Sequence, residues 1–162
     1  YKGVQHAIRG LTDPRLTEFD LVVAGSGPYR DQLEAIAAEA GVADRVTFAG
    51  YVDDDRLPEL YAGASVFLSL STVEAYGMTV AESLAAGTPC VVRNTGALSD
   101  WVGRDGCRGV SEPTPNRLAD AVSQVRSVRP STTGLQTWDE TVDDVHSVYE
   151  SVHSEQTAQK GH

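Results

Sequence analysis

Short apolar runs alternate with amphipathic stretches along most of this chain, and that alternation predicts its elements. Five runs, at residues 20–24, 45–49, 66–70, 89–93 and 106–110, are too short for ordinary helices and read as strands. Between them, apolar residues recur at helical spacing. Val4, Ala7, Ile8 and Leu11 mark a helix over 3–11, and a loop with Asp13-Pro14 follows over 12–19. Leu33, Ile36, Ala37 and Ala40 mark a helix that Pro28 opens and Gly41 ends. Leu57, Leu60 and Tyr61 mark one over 55–62, a fourth runs over 77–86 to a cap at Gly87, and a short one spans 98–102. Thr114 caps a helix carrying Leu118, Ala121, Val122 and Val125. After a linker at 130–134, Thr137 and Glu140 form a capping-box pair for a last helix carrying Trp138, Val142, Val145, Val148, Tyr149 and Val152.

Strands that are apolar throughout, separated by helices, predict a parallel sheet covered on both faces. The fold class expected is α/β, a doubly wound, Rossmann-like parallel sheet whose loops gather at the carboxyl ends of the strands. One domain over 1–153 is expected, with a frayed polar tail over 154–162.

At 162 residues and 41% hydrophobic content, the chain suffices for one ordinary core. The formal net charge of −10 argues against nucleic acid as a partner, because phosphate backbones demand a basic stripe. Lys2 and Lys160 are the only lysines, and acidic runs such as Asp53-Asp54-Asp55 belong on the surface. Such a composition is halophile-like, and it also suits an ordinary acidic cytoplasmic domain. Cys90 and Cys107 lack metal-type spacing and read as reduced, buried thiols, which fits a cytoplasmic protein. No run approaches the length of a membrane span. Of the four histidines, His6 lies on the first helix and His146 and His153 on the last, and no metal-type cluster of His, Cys or Asp is seen, so neither metal nor cofactor is expected.

Candidate chemistry concentrates between Ser71 and Pro89. There a strand gives way to a glycine, Gly77, and a helix whose first N–H groups and partial positive charge suit a phosphate. Glu74 stands in the turn, and Glu82 stands on the helix about 7 Å along its axis, at ~1.5 Å per residue. Met78, Val80, Ala81, Leu84 and Ala85 surround Glu82 with apolar positions, where a carboxylate is ordinarily excluded unless something polar needs it. Phosphate, sugar and nucleoside spaced in this way describe a sugar nucleotide. Two weaker signals are Gly25-Ser26-Gly27-Pro28 and Gly50-Tyr51-Val52-Asp53, each at a strand end and each better explained, from spacing alone, as a plain turn. The first lacks the third glycine and the acidic strand end of a dinucleotide fingerprint, which disfavours a nicotinamide dehydrogenase.

The run Glu74-Ala75-Tyr76-Gly77-Met78-Thr79-Val80-Ala81-Glu82, two glutamates separated by seven residues, resembles the signature of family 4 retaining glycosyltransferases of GT-B fold, the glycosyl transferases group 1 domain. Its continuation to Val92 is similar, as are Val22 to Pro28, Val46 to Val52, Lys2-Gly3 and Thr137-Trp138-Asp139. The resemblance implies a carboxyl-terminal donor-binding domain. Glu82 would take the ribose and Glu74 the donor sugar beside the reaction centre. Backbone amides of Tyr76, Gly77, Met78 and Thr79 would hold the diphosphate or sugar, Lys2 would neutralise the diphosphate, Tyr51 and Val52 would border the base, and the Gly27 turn would approach the donor.

The implied partner is a nucleoside diphosphate sugar as substrate. The acceptor, a lipid or a glycan, would be served by an amino-terminal domain of the same polypeptide, peripheral to the inner membrane face. The same resemblance implies that the strand before Lys2, with a phosphate-binding arginine, lies outside the chain, so that the chain alone is inactive. Ala75 replaces the family's usual glycine, and Gly96-Ala97, Ser99 and Asp100 depart from its usual Gly-Gly, Pro and Glu. The alternative reading is a sugar-nucleotide-binding module or regulatory subunit without catalysis.

Overall fold

In the computed structural model, residues 1–132, 135, 139–140, 142–143 and 146–147 are described. The chain divides into two units at Thr132/Thr133. In the first, five helices and five strands alternate as expected: α1 (Val4–Gly10), β1 (Leu21–Ala24), α2 (Arg30–Glu39), β2 (Val46–Gly50), α3 (Leu57–Gly63), β3 (Phe67–Ser69), α4 (Met78–Ala85), β4 (Cys90–Arg93), β5 (Cys107–Val110) and α5 (Pro115–Val125). In the second, residues 139–140, 142–143 and 146–147 are helical. The expected Thr137 cap, Trp138 and most of the expected last helix, the 1–153 boundary and the 154–162 tail lie outside the described residues.

All strand pairing is parallel, but the strands form two sheets, β1-β2 and β3-β4-β5. Among the described residues, the second edges of β1 and β3 have no strand partner. β4 is central in its sheet and Cys90, Val91 and Val92 are fully buried. Val91 joins Leu70, Val110, Leu118, Val122 and Val125 in a core beneath α1 and α5. Cys90 faces the other way, its thiol directed at the carbonyl of Val80 on α4. The smaller sheet packs one face on α1 and α2 through Leu21, Val46, Phe48, Ile8, Leu11 and Ala37.

Its other face is bare: Val22 is 51% exposed, and Ala24, Thr47 and Ala49 are exposed beside it. The expectation of cover on both faces therefore holds for one sheet and not for the other. α3 packs against α4. Arg45 secures the connection below, donating to the carbonyls of Leu11 (2.5 Å), Leu16 (2.9 Å) and Phe19 (3.4 Å).

Caps follow the sequence closely. Gly87, with φ 83°, ends α4 in a Schellman turn: Gly87 N–H donates to Leu84 O (3.0 Å) and Thr88 N–H to Ser83 O (2.9 Å). Thr114 caps α5 by accepting from Arg117 N–H. Three expectations shift. Pro28 lies in the turn before α2, which starts at Arg30, and Arg30 N–H reaches back to Gly27 O. α3 begins at Leu57 rather than Asp55, because Arg56 and Leu57 N–H groups both turn onto Asp53 O. The short helix near Leu98 is a 3-10 helix, Gly96–Trp101.

Candidate functional site

The carboxyl end of β3 is built against the start of α1. Gly3 adopts φ 77°, and a Cβ there would stand 2.2 Å from the Leu70 carbonyl oxygen, so only glycine admits this approach. Tyr1 O accepts from Thr72 N–H at 2.9 Å, which pins the chain beside the strand end. Lys2 is thereby set next to Glu74, and its Nζ lies 2.6 Å from Glu74 Oε1. Both side chains keep solvent access, 54% for Lys2 and 22% for Glu74.

The turn that follows is held from two sides. Ser71, buried, donates through Oγ to Val73 O at 2.9 Å. Trp101, 2% exposed, donates Nε1–H to Tyr76 O at 2.7 Å, and its ring meets Tyr76 edge-on at 5.4 Å. Gly77 takes φ 92° as the N-cap of α4, and a Cβ there would press on Trp101 Nε1 (3.0 Å) and Leu98 Cδ2 (3.1 Å). Beyond this cap the N–H groups of Met78 and Thr79 begin the helix, with exposed side chains, and Val80 N–H closes the first turn on Gly77 O.

Glu82 is not embedded among apolar side chains, contrary to the reading of its neighbours. α4 has a buried face of Val80, Ser83 and Leu84 and an outer face that carries Met78 and Glu82. The carboxylate is nevertheless held: Tyr61 Oη donates to Glu82 Oε2 at 2.9 Å. Burial, then the neighbouring carboxylate, pushes the Tyr61 phenol well above its usual range, so it stays a donor.

The second glycine turn and the Tyr51 loop meet at the end of the other sheet. Its register slips between Val23 and Ala24, and Gly25 N–H donates to Gly50 O at 2.6 Å. Gly27 is exposed in open space, Tyr51 is 75% exposed and Val52 half-buried. The structure thus brings Lys2 to Glu74 and joins the Gly25–Gly27 turn to the Gly50–Tyr51 turn. Trp101 and Tyr61, which fix Tyr76 and Glu82, carry no motif. The one signal for either is an aromatic with a polar tip at a buried helical position.

The thiols take no part in this site. Both are free and buried, and burial first of all pushes Cys90 up to about 12 and Cys107 up to about 11. Among the described residues no group of three or more His, Cys, Asp or Glu side chains is placed to hold a metal ion. No helix there is long and apolar enough to cross a membrane.

The family model for glycosyl transferases group 1 matches residues 1–132, the whole of the first unit. The chain belongs to this family. This group 1 domain is 40% identical, over 62% of its length, to an uncharacterised glycosyltransferase of Methanocaldococcus jannaschii, of which it covers 26%. It is 36% identical, over 91% of its length, to a D-inositol 3-phosphate glycosyltransferase of Acidothermus cellulolyticus, of which it covers 38%. It therefore spans between about a quarter and two fifths of these relatives. Among solved structures, sucrose-phosphate synthase of Thermosynechococcus elongatus aligns with 95% of this chain at a TM-score of 0.78 and 22% identity, over 43% of that protein. Anabaena Alr3699/HepE, in complex with UDP and glucose, aligns with 95% at 0.76 and 20% identity, over 45% of its chain. These likenesses establish the shared α/β fold.

Proposed function

We propose that this group 1 domain is the donor-binding half of a family 4 retaining glycosyltransferase. In this reading it binds a nucleoside diphosphate sugar and presents the sugar for transfer with its anomeric configuration kept. One observation carries the reading. Lys2, Glu74, the Gly77 cap and the start of α4 converge at the carboxyl end of one sheet, with Lys2 and Glu74 2.6 Å apart. Departure of the diphosphate builds negative charge while the sugar becomes oxocarbenium-like, so the site must stabilise the first and position the second.

Lys2 and the N–H groups from Tyr76 to Thr79 serve the diphosphate. A helix N-terminus contributes ~0.3–1 kcal/mol towards an anion, and up to ~2 when partly buried. Glu74 serves the sugar, Glu82 the ribose, and Tyr51, Val52 and the Gly27 turn the base side. An exposed ion pair is worth ~0–1 kcal/mol, so Lys2 leaves Glu74 for a more highly charged diphosphate at little cost.

The acceptor, a lipid or glycan, is assigned to a further domain of the same polypeptide, and transfer is expected to need it. One observation supports that arrangement: the chain's short span on its relatives. The compartment that fits is the cytoplasm or the inner face of a membrane. The acidic, lysine-poor surface suits high salt, which screens its self-repulsion.

Calorimetric titration of the chain with UDP, GDP and NAD tests the reading. One of the two nucleoside diphosphates is expected to bind, and Glu82→Gln to weaken it at least tenfold. Binding of NAD alone, or unchanged affinity in Glu82→Gln, overturns it.

A further inference from the structure

We infer that Tyr61 is a positioning residue for nucleotide recognition: its phenol holds Glu82 by one carboxylate oxygen, leaving the other to accept from a ribose hydroxyl. The inference rests on the assignment of Glu82 to the ribose. Tyr61 lies on α3, outside the 71–89 stretch, and is itself anchored three ways. Its side chain is buried, with only 7% of the residue exposed. Its ring meets Phe67 of β3 edge-on, with centroids 5.4 Å apart and planes at 84°. Its carbonyl accepts from Thr88 Oγ1 at 2.5 Å, and Thr88 is 2% exposed in the turn that ends α4. The phenol oxygen is therefore fixed relative to both ends of the segment bearing Glu82.

A glutamate on an exposed helix face otherwise samples several rotamers, and ordering it would oppose binding. The 2.9 Å bond to Oε2 removes that freedom before the nucleotide arrives. It also takes up one of the carboxylate's roughly four acceptor positions, on Oε2, and leaves Oε1 to face a diol. Stability gives a weaker account of the contact. Glu82 is exposed, so water would satisfy its carboxylate in the absence of the phenol.

The test is a double-mutant cycle on this chain, titrated with UDP and 2′,3′-dideoxy-UDP, the GDP pair run in parallel. Tyr61→Phe removes one oxygen and keeps the ring on Phe67; a thermal melt confirms folding. It is expected to weaken the ribonucleotide three- to tenfold and to leave the dideoxy nucleotide unchanged. In a Glu82→Gln background the same change is expected to have less than a twofold effect. Equal weakening of both nucleotides by Tyr61→Phe, or an undiminished effect in Glu82→Gln, overturns the inference and leaves a structural tyrosine. If Glu82→Gln itself fails to distinguish the ribonucleotide from its dideoxy form, the ribose assignment falls first, and the inference with it.

Discussion

The two sheets of this domain carry the same kind of sequence and reach opposite states of enclosure. Around β3-β4-β5 the two glycines that shape the candidate site, Gly3 and Gly77, are crowded. A side chain at Gly3 would strike the Leu70 carbonyl, and one at Gly77 would press on Trp101 and Leu98. Around β1-β2 the corresponding turns stand open, with nothing within 4 Å of a Cβ at Gly25, Gly27 or Gly50. One half is a close-packed frame that sets Lys2 beside Glu74. The other offers exposed backbone and a bare face. On the donor-binding reading, a site that grips a diphosphate tightly and a base more loosely is served by that division.

If the frame is the close-packed half, its tie at Trp101 is where it breaks most severely. Trp101→Ala removes a fully buried indole and the bond to Tyr76 O. A loss of ~3–5 kcal/mol in unfolding free energy is expected from chemical denaturation. Nucleotide affinity should fall with it, because the turn at Gly77 is released; a Trp101→Ala domain that melts normally and binds normally would dissolve the distinction between the halves. Gly3→Ala comes next. It combines a left-handed backbone with a 2.2 Å approach to a main-chain oxygen that cannot rotate away. Roughly 3 kcal/mol is expected from strain and overpacking together, read in the same denaturation experiment.

How much of this was legible beforehand follows the same division. The period of α4, the cap at Gly87, the cap at Thr114 and all five strands could be read from spacing, because each depends on neighbours in sequence. The charged face of α4 was misread because Met78 and Ala85, apolar by type, turn outward with Glu82. Leu21-Val22-Val23-Ala24 reads the same whether one face or both are covered, so the bare side of β1 had no signal. Tyr61 with Glu82, 21 residues apart, and Trp101 with Tyr76, 25 apart, leave no periodic trace. Such contacts arise only when α3 and the 3-10 helix are folded onto α4. Lys2 and Glu74, 72 residues apart, were assigned to one site through family resemblance, and their direct pairing came from the structure.

The smallest expected effect lies in the open half, and it separates a turn from a site. Gly27 is not among the glycines with positive φ, and a methyl group there would meet open space. Gly27→Ala should change unfolding free energy by less than ~0.5 kcal/mol, within the range of ordinary surface substitutions. Were Gly27 merely part of a strand-to-helix turn, nucleotide affinity would be as indifferent as stability. On the donor-binding reading the added methyl stands where a ligand approaches the backbone, and affinity should drop several-fold while the melt stays put. A variant that keeps both would confine the working site to β3-β4-β5 and make the openness of the smaller sheet a matter of packing alone.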